Sequence, residues 1–259
     1  MAKSYGATKS ELNAARFVTL AAYDGEDSDP KTGVYHDEEG EMVATDGHRL
    51  HIASTGGNRS GARYNPLTLY RLGEDFPDWR RVVREPQTTV TVDVRALYGA
   101  VAGAVELAKA CGSSSRAEVR VEWRPDRHQL SVVASVDSAE GETVTGTILR
   151  GEWEGSEPLL LTLNGNYLLE ALKPMVVPHE ESGSYEPVRL SHEGSFGPCT
   201  VDNGHLKAVI MSLRHDDKKG RAVQTELEAL GDKLEEFLTG KRVVRLTRSR
   251  AKLDLEVDP

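Results

Sequence analysis

The sequence predicts an α+β fold made of repeated units, each an amphipathic helix followed by two or more antiparallel strands. Three observations carry this. Val94, Leu97, Val101, Val105 and Ala108 recur at helical spacing, so they share one face of a helix over residues 93–110. Val119, Val121 and Trp123 alternate with Glu118, Arg120 and Glu122, the period of a half-buried strand. The order of helix then strands returns in four units along the chain, an internal repeat too diverged for residue identity.

The first unit opens at Ser10, an N-cap residue type, and Leu12, Phe17, Leu20 and Ala21 give its helix an apolar side as far as about Tyr23. Residues 24–33, rich in Asp, Pro and Gly, are a loop. Residues 33–37 and 41–53 read as a hairpin around Glu38-Glu39-Gly40. Gly56 to Gly61 lacks the Gly-Lys-Ser/Thr ending of a phosphate loop and is read as an ordinary loop. Residues 63–83 are extended and lead into Phe76-Pro77-Asp78-Trp79, and Arg84 to Gln87 is a candidate linker. The second unit, from Thr88, carries the helix and strand named above and further strands at 130–136 and 143–149. Gly112 to Ser115 stops its helix. The third has a strand at 159–163, a helix from Asn164 to about Leu172 ended by Pro174, and strands at 188–191, 199–202 and 206–213. The fourth follows a polar linker at 216–220. Val223, Leu227, Leu230, Leu234 and Phe237 give its helix an apolar face, Gly240 caps it, and residues 242–247 and 251–257 form a last hairpin.

A length of 259 residues suits two domains. With 38% hydrophobic and 28% charged residues, a soluble protein is expected. No apolar run approaches the ~20 residues of a membrane span, and Met1 to Gly6 has no signal-peptide core. Cys111 and Cys199 stand in no metal or redox spacing, which fits a reducing cytoplasm; buried thiols are expected rather than a disulfide. The net charge of −9 weighs against nucleic acid as a partner unless basic residues gather locally.

Catalytic chemistry finds little support. No Gly-x-Ser-x-Gly elbow, Walker loop or His-Glu-x-x-His occurs. His48 and His51 sit three apart, on opposite faces of a strand. His179-Glu180-Glu181 reads as a solvated loop. No catalytic residue, metal site or cofactor is expected.

The stretch Val43-Ala44-Thr45-Asp46-Gly47-His48-Arg49-Leu50 enters as a strand and meets a turn-prone Asp-Gly pair. It reads as a kink or bulge that aims polar groups one way and Leu50 the other; a solvated hairpin corner is the plainer alternative. This octapeptide resembles the signature of the second domain of bacterial sliding clamps, the β subunit of the replicative DNA polymerase. Asp75 to Val83 (DFPDWRRVV) resembles the segment that closes that domain. Asn164 to Leu172 (NGNYLLEAL) resembles a helix of the third domain, and Ala208 to Arg214 (AVIMSLR) the strand that ends family chains. All four come in the family's order, over residues 10–214.

The resemblance implies clamp-fold domains of two helices on antiparallel sheets. Residues 1–84 then correspond to half of the family's second domain and 88–214 to its third. Because a stretch the family carries before the Phe-Pro-Asp-Trp corner is missing, residues 221–259 are expected to complete the first domain as a permuted half, within the chain or on a neighbour. The resemblance also implies a pocket for short peptides of DNA polymerase, the clamp loader and other proteins with clamp-binding motifs. Its walls would be Thr45, Gly47, His48, Arg49 and Leu50, then Pro77, Arg81 and Val82, then Asn164, Tyr167, Val209, Ile210, Met211, Ser212, Leu213 and Arg214. Leu50, Val209, Ile210 and Met211 would give apolar contact, Arg49 and Arg214 would bond the peptide, and Tyr167 would act as a gate. Ser212 stands where the family usually has proline, which softens that wall. Duplex DNA would face Lys9, Arg16, Arg95, Lys109, Lys173 and Lys233, a thin lining beside Glu11, Glu106, Glu170 and the acidic fourth helix. The implied function is a cytoplasmic processivity factor, a homo-oligomer and a trimer if the ring has six domains. The alternative is a clamp-like adaptor that keeps the pocket without encircling DNA.

Overall fold

The computed structural model describes residues 9–55, 60–110, 117–138, 141–178, 184–194, 197–213, 243–249 and 252–258. Helix α1 (Lys9–Thr19) is followed by β1 (Val34–His36), β2 (Glu41–Thr45), β3 (Arg49–Ser54), β4 (Ala62–Tyr64) and β5 (Arg71–Gly73). After a 3-10 turn at Trp79–Val82 come β6 (Thr88–Val92), α2 (Val94–Ala110), β7 (Glu118–Arg124), β8 (Gln129–Ser138), β9 (Gly141–Leu149) and β10 (Glu152–Glu154). Then follow β11 (Leu159–Asn164), α3 (Gly165–Leu172), β12 (Val188–His192), β13 (Cys199–Asp202) and β14 (Leu206–Ile210), and lastly β15 (Val243–Ser249) and β16 (Lys252–Asp258). No described helix is long and apolar enough to cross a membrane.

The strands form two antiparallel sheets. One has ten strands in the order β10-β6-β12-β13-β14-β3-β2-β1-β4-β5, the other six in the order β11-β7-β8-β9-β15-β16. The ten-stranded sheet crosses the predicted linker at residues 84–87: β14 pairs with β3 in the register Ile210↔Arg49, Val209↔Leu50, Lys207↔Ile52. The first and third units therefore share one sheet.

The three described helices share one core. Phe17 of α1 stacks on His51 of β3 at 4.3 Å and 8°, Asn13 Nδ2 donates to the Pro174 carbonyl at 3.1 Å, and α3 packs on α2. Phe17, Ala44, Val101, Trp123, Leu168 and Ile210 all belong to one buried core between helices and sheets. The hydrophobic effect closes this face because the helical periods at 94–108 and the strand alternation meet there. Cys199 is buried in the same core, and burial pushes its thiol pKa up.

Several expectations change. Residues 41–53 are two strands rather than one, because an Asp46 turn breaks them into the β2–β3 hairpin. Residues 63–83 hold a short hairpin, β4–β5, before the 3-10 turn. The first helix stops at Thr19. Strands β6 and β10 pair at the far end of the large sheet and carry no hairpin or helix signal in sequence. The last hairpin pairs with β9 in the 88–214 unit, in the register Val243↔Leu149 to Arg248↔Val144, not with the first unit of its own chain. The nine-residue β9 offers a seven-residue strand a full ladder of backbone partners, whereas the first unit's edge strand β5 has three residues. The predicted fourth helix lies outside the described residues. Leu12 on α1 and Leu20 just after it remain exposed, as do Leu67, Leu69 and Tyr70 between β4 and β5.

Candidate functional site on the outer sheet face

The β2–β3 turn is held by its own side chains. Asp46 Oδ1 accepts from the backbone N–H of His48 at 2.9 Å and of Arg49 at 3.0 Å. Thr45 Oγ1 donates to the Arg49 carbonyl at 2.7 Å and accepts from Gly47 N–H at 3.1 Å. Gly47 takes φ +87°, a region open chiefly to glycine. The turn presents His48 to solvent, and the His48 carbonyl accepts from Met211 N–H at 2.9 Å. The octapeptide and the Ala208–Arg214 motif, far apart in sequence, thus meet at one corner.

Alternation sorts the residues of both strands. Leu50 and Ile52 of β3, Val43 of β2 and Val209 of β14 point away from the helices and form a separate apolar cluster. Trp79 covers it, with Phe76 and Val83 beside it. Phe76 stacks on Tyr35 at 4.9 Å. Asp37 pins the segment from below: its buried carboxylate accepts the Glu39 and Glu41 N–H groups at 2.9 Å each and Arg80 Nη2 at 2.6 Å. Arg80 also lies over the Trp79 ring at 4.3 Å. The Asp37, Glu39 and Glu41 carboxylates lie within 4.8 Å of one another, but Asp37 already has three donors. Burial first and Asp37 second raise the Glu41 carboxyl pKa above its ordinary value.

At the rim, Val82 and Met211 are both 40% exposed, Pro77 is exposed, and Arg81 pairs with Asp78 at 2.8 Å in solvent. Ser212 and Leu213 are half-buried, and Leu213 N–H donates to the Thr162 carbonyl at 2.7 Å. Arg214 lies outside the described residues.

Other expected wall residues lie on the helix side. Ile210 is fully buried in the main core, because it alternates with Val209 and Met211. Arg49 bonds Asp46 Oδ2 through Nε at 3.1 Å, and also Glu170 of α3 and the Leu20 carbonyl after α1. Its guanidinium stacks on Tyr167 at 4.2 Å. Arg49 and Tyr167 thereby tie the first unit to α3. Asn164 is the N-cap of α3, its side chain accepting Asn166 N–H at 3.1 Å.

Sequence reasoning missed Trp79, the cover of the outer cluster, although its motif was in view. Its signal is a second aromatic three residues after Phe76 in the same corner. His51 is the other omission. It is buried against Phe17, whose carbonyl lies 2.7 Å from Nδ1, and burial depresses its pKa from 6.5 to about 4.

Of the residues expected to face DNA, Arg16, Lys109 and Lys173 are exposed on the helix side. Arg95 is exposed, with its guanidinium 4.9 Å from the Tyr185 ring. Lys9 begins α1, and Lys233 lies outside the described residues.

With this geometry in place, comparison with solved structures shows the sliding-clamp fold. The DNA polymerase sliding clamp of Bacillus subtilis superposes with a TM-score of 0.63 at 19% identity, covering 80% of this chain and 63% of that one. The DNA polymerase III β subunit of Thermotoga maritima gives 0.61 at 17%, covering 83% and 70%. The β subunit of Streptococcus pyogenes gives 0.60 at 20%, covering 83% and 68%. The chain thus spans less than two thirds of the Bacillus clamp's length. No protein-family model and no curated protein sequence matches the chain.

Proposed function

We propose that this protein is a non-enzymatic, clamp-like processivity factor that captures short peptides of DNA polymerase and other replication proteins in the cleft beside Leu50, Val209 and Met211. The observation that carries this reading is the meeting of the two motif strands. The Met211–His48 backbone bond sets an exposed Met at the rim of a small apolar cluster, with Val82 exposed on the segment that crosses it. An apolar floor with a few fixed polar groups is the composition of a ligand cleft. Thr45, Gly47 and His48 form its upper corner, and Pro77, Arg81, Val82, Ser212 and Leu213 its sides.

Duplex DNA, on this reading, passes the helix side, where Arg16, Arg95, Lys109 and Lys173 make loose, sequence-independent phosphate contacts. Encirclement requires several copies, three chains for a six-domain ring. The acidic balance of −9 favours a second reading, an adaptor that keeps the cleft without encircling DNA. Mass in solution separates the two, because a monomer at working concentration leaves only the adaptor.

The cleft itself is tested by calorimetry with a synthetic clamp-binding peptide. Met211→Ala is expected to weaken binding by ~1–3 kcal/mol, the range for a central anchor, and Val82→Ala by less, with unchanged unfolding. Unaltered affinity in both variants removes the cleft from the reading.

A further inference from the structure

Below the Trp79 crossing, the outer face holds a second groove of about 440 Å3, lined by Glu41, Ile52, Ser54, Trp79, Arg80, Val83, Arg189, Asp202, Gly204, His205 and Lys207. None of the wall residues of the proposed cleft lines it. We infer that this groove is a separate binding site for an extended peptide segment, with an acidic residue at the Arg189–Lys207 end and an apolar residue on Ile52, Trp79 and Val83.

The argument rests on the cross-strand row that forms the floor. Register places Arg189 opposite Asp202, Asp202 opposite Lys207 and Lys207 opposite Ile52, so these side chains lie side by side. Arg189 Nη2 and Lys207 Nζ both reach Asp202 Oδ2, at 3.0 and 3.4 Å. Two cations share one largely buried carboxylate, which orients them and leaves a net positive charge at this end. Arg189 is more than half exposed, so an incoming carboxylate meets little desolvation there. The middle of the groove is apolar, from Ile52, Trp79 and Val83. The Trp79 indole N–H, in a side chain more than nine-tenths buried, has no acceptor among the described residues. Trp79 lines the groove, so its indole is a local reporter of what binds there.

The opposite wall decides between occupants. There Glu41 stands with Asp37 and Glu39, and Arg80 pairs with the last two, which leaves this wall net acidic. A polyanionic nucleic-acid backbone would be repelled along this wall, whereas a peptide with one acidic residue places its charge only at the cationic end. The site shares Ile52 and Trp79 with the apolar cluster of the cleft proposed above, but its cationic end, Arg189 and Lys207, belongs to it alone.

The test uses the full chain labelled with 15N, and two acetylated, amidated tetrapeptides, Ser-Asp-Leu-Ser and Ser-Asn-Leu-Ser. The Trp79 indole cross-peak is assigned by its loss in Trp79→Phe. The acidic peptide is expected to shift this peak saturably and to bind roughly tenfold tighter than the amide analogue. Arg189→Gln with Lys207→Gln should bring the two peptides level by calorimetry. Equal binding of both peptides, no indole shift, or affinity untouched by the double substitution overturns the site. Full competition by inorganic phosphate at equal concentration marks a general anion site and overturns the peptide assignment. Because the readout is local to Trp79, failure of the Met211 cleft would not mimic any of these results.

Discussion

The two faces of the ten-stranded sheet are cut from the same strands and closed differently. On the helix side, His51, Ala208 and Ile210 lie under α1 and α3 in the main core. On the outer side, the only cover that the described residues give Leu50, Lys207, Val209 and Met211 is one crossing segment, centred on Trp79. Full helical cover yields stability. A single crossing segment leaves grooves on either flank, and this is where a recognition surface can exist without opening the core.

The largest expected effect contrasts the two covers. Phe17→Ala removes a fully buried ring that stacks on His51 and should cost ~3–5 kcal/mol, the range for buried aromatic truncation. Trp79→Ala removes a cover that sits at the surface of a five-residue cluster, so the loss should fall below that of Phe17→Ala. It should also be confined to residues 74–87 in amide exchange, since local opening follows local burial. Equal, global destabilisation by both substitutions would show that the outer face is part of the folding core.

Next in size is the acid response of the helix side. The folded state holds the His51 pKa near 4 instead of 6.5, chiefly by burial. Below pH 6.5 the unfolded chain takes up a proton that the folded chain refuses, so stability is fully present above 6.5 and falls as pH drops towards 4. A shift of this size corresponds to about 3 kcal/mol at most. Burial also lowers His36 and His192, so the wild-type slope carries their share. Denaturant unfolding at pH 7 and pH 4.5 should therefore show a shallower loss in His51→Gln than in the wild type. An unchanged slope would mean that His51 is not the acid-sensitive group of this face.

How much of this was legible in sequence follows from what each signal reports. Helix periodicity locates α2 and strand alternation β7 well, because each buries one face of its own. The tail hairpin was legible as strands but not as to its partner, since alternation does not say which edge it meets; the free nine-residue ladder of β9 decides that. The motif resemblance gathered residues of the site but not their faces. Arg49 and Tyr167 belong to the helix side and Leu50 and Val209 to the outer side, a distinction that rests on the strand register at Arg49↔Ile210. Trp79 and His51 were passed over because a lone aromatic or histidine announces burial only once its neighbours are placed.

The smallest expected effect sharpens the comparison at a single backbone position on each side. At Gly165, on the helix side, an added Cβ would lie 2.6 Å from the Ala117 carbonyl and Val119 Cγ2 and 2.7 Å from Val105 Cγ2, so Gly165→Ala should cost ~1–3 kcal/mol by overpacking. At Gly47, on the open corner, a Cβ would meet nothing within 4 Å, but φ is +87°. The penalty there is conformational alone, about 1 kcal/mol for alanine. Asparagine, which tolerates left-handed backbone better, should cost less than alanine at Gly47. It should give no such relief at Gly165, where space and not φ is the limit. Melting of the four variants reads this directly. If Gly47→Asn is as damaging as Gly47→Ala, the turn is not held in its left-handed form, and the His48 carbonyl is not fixed for Met211 as described.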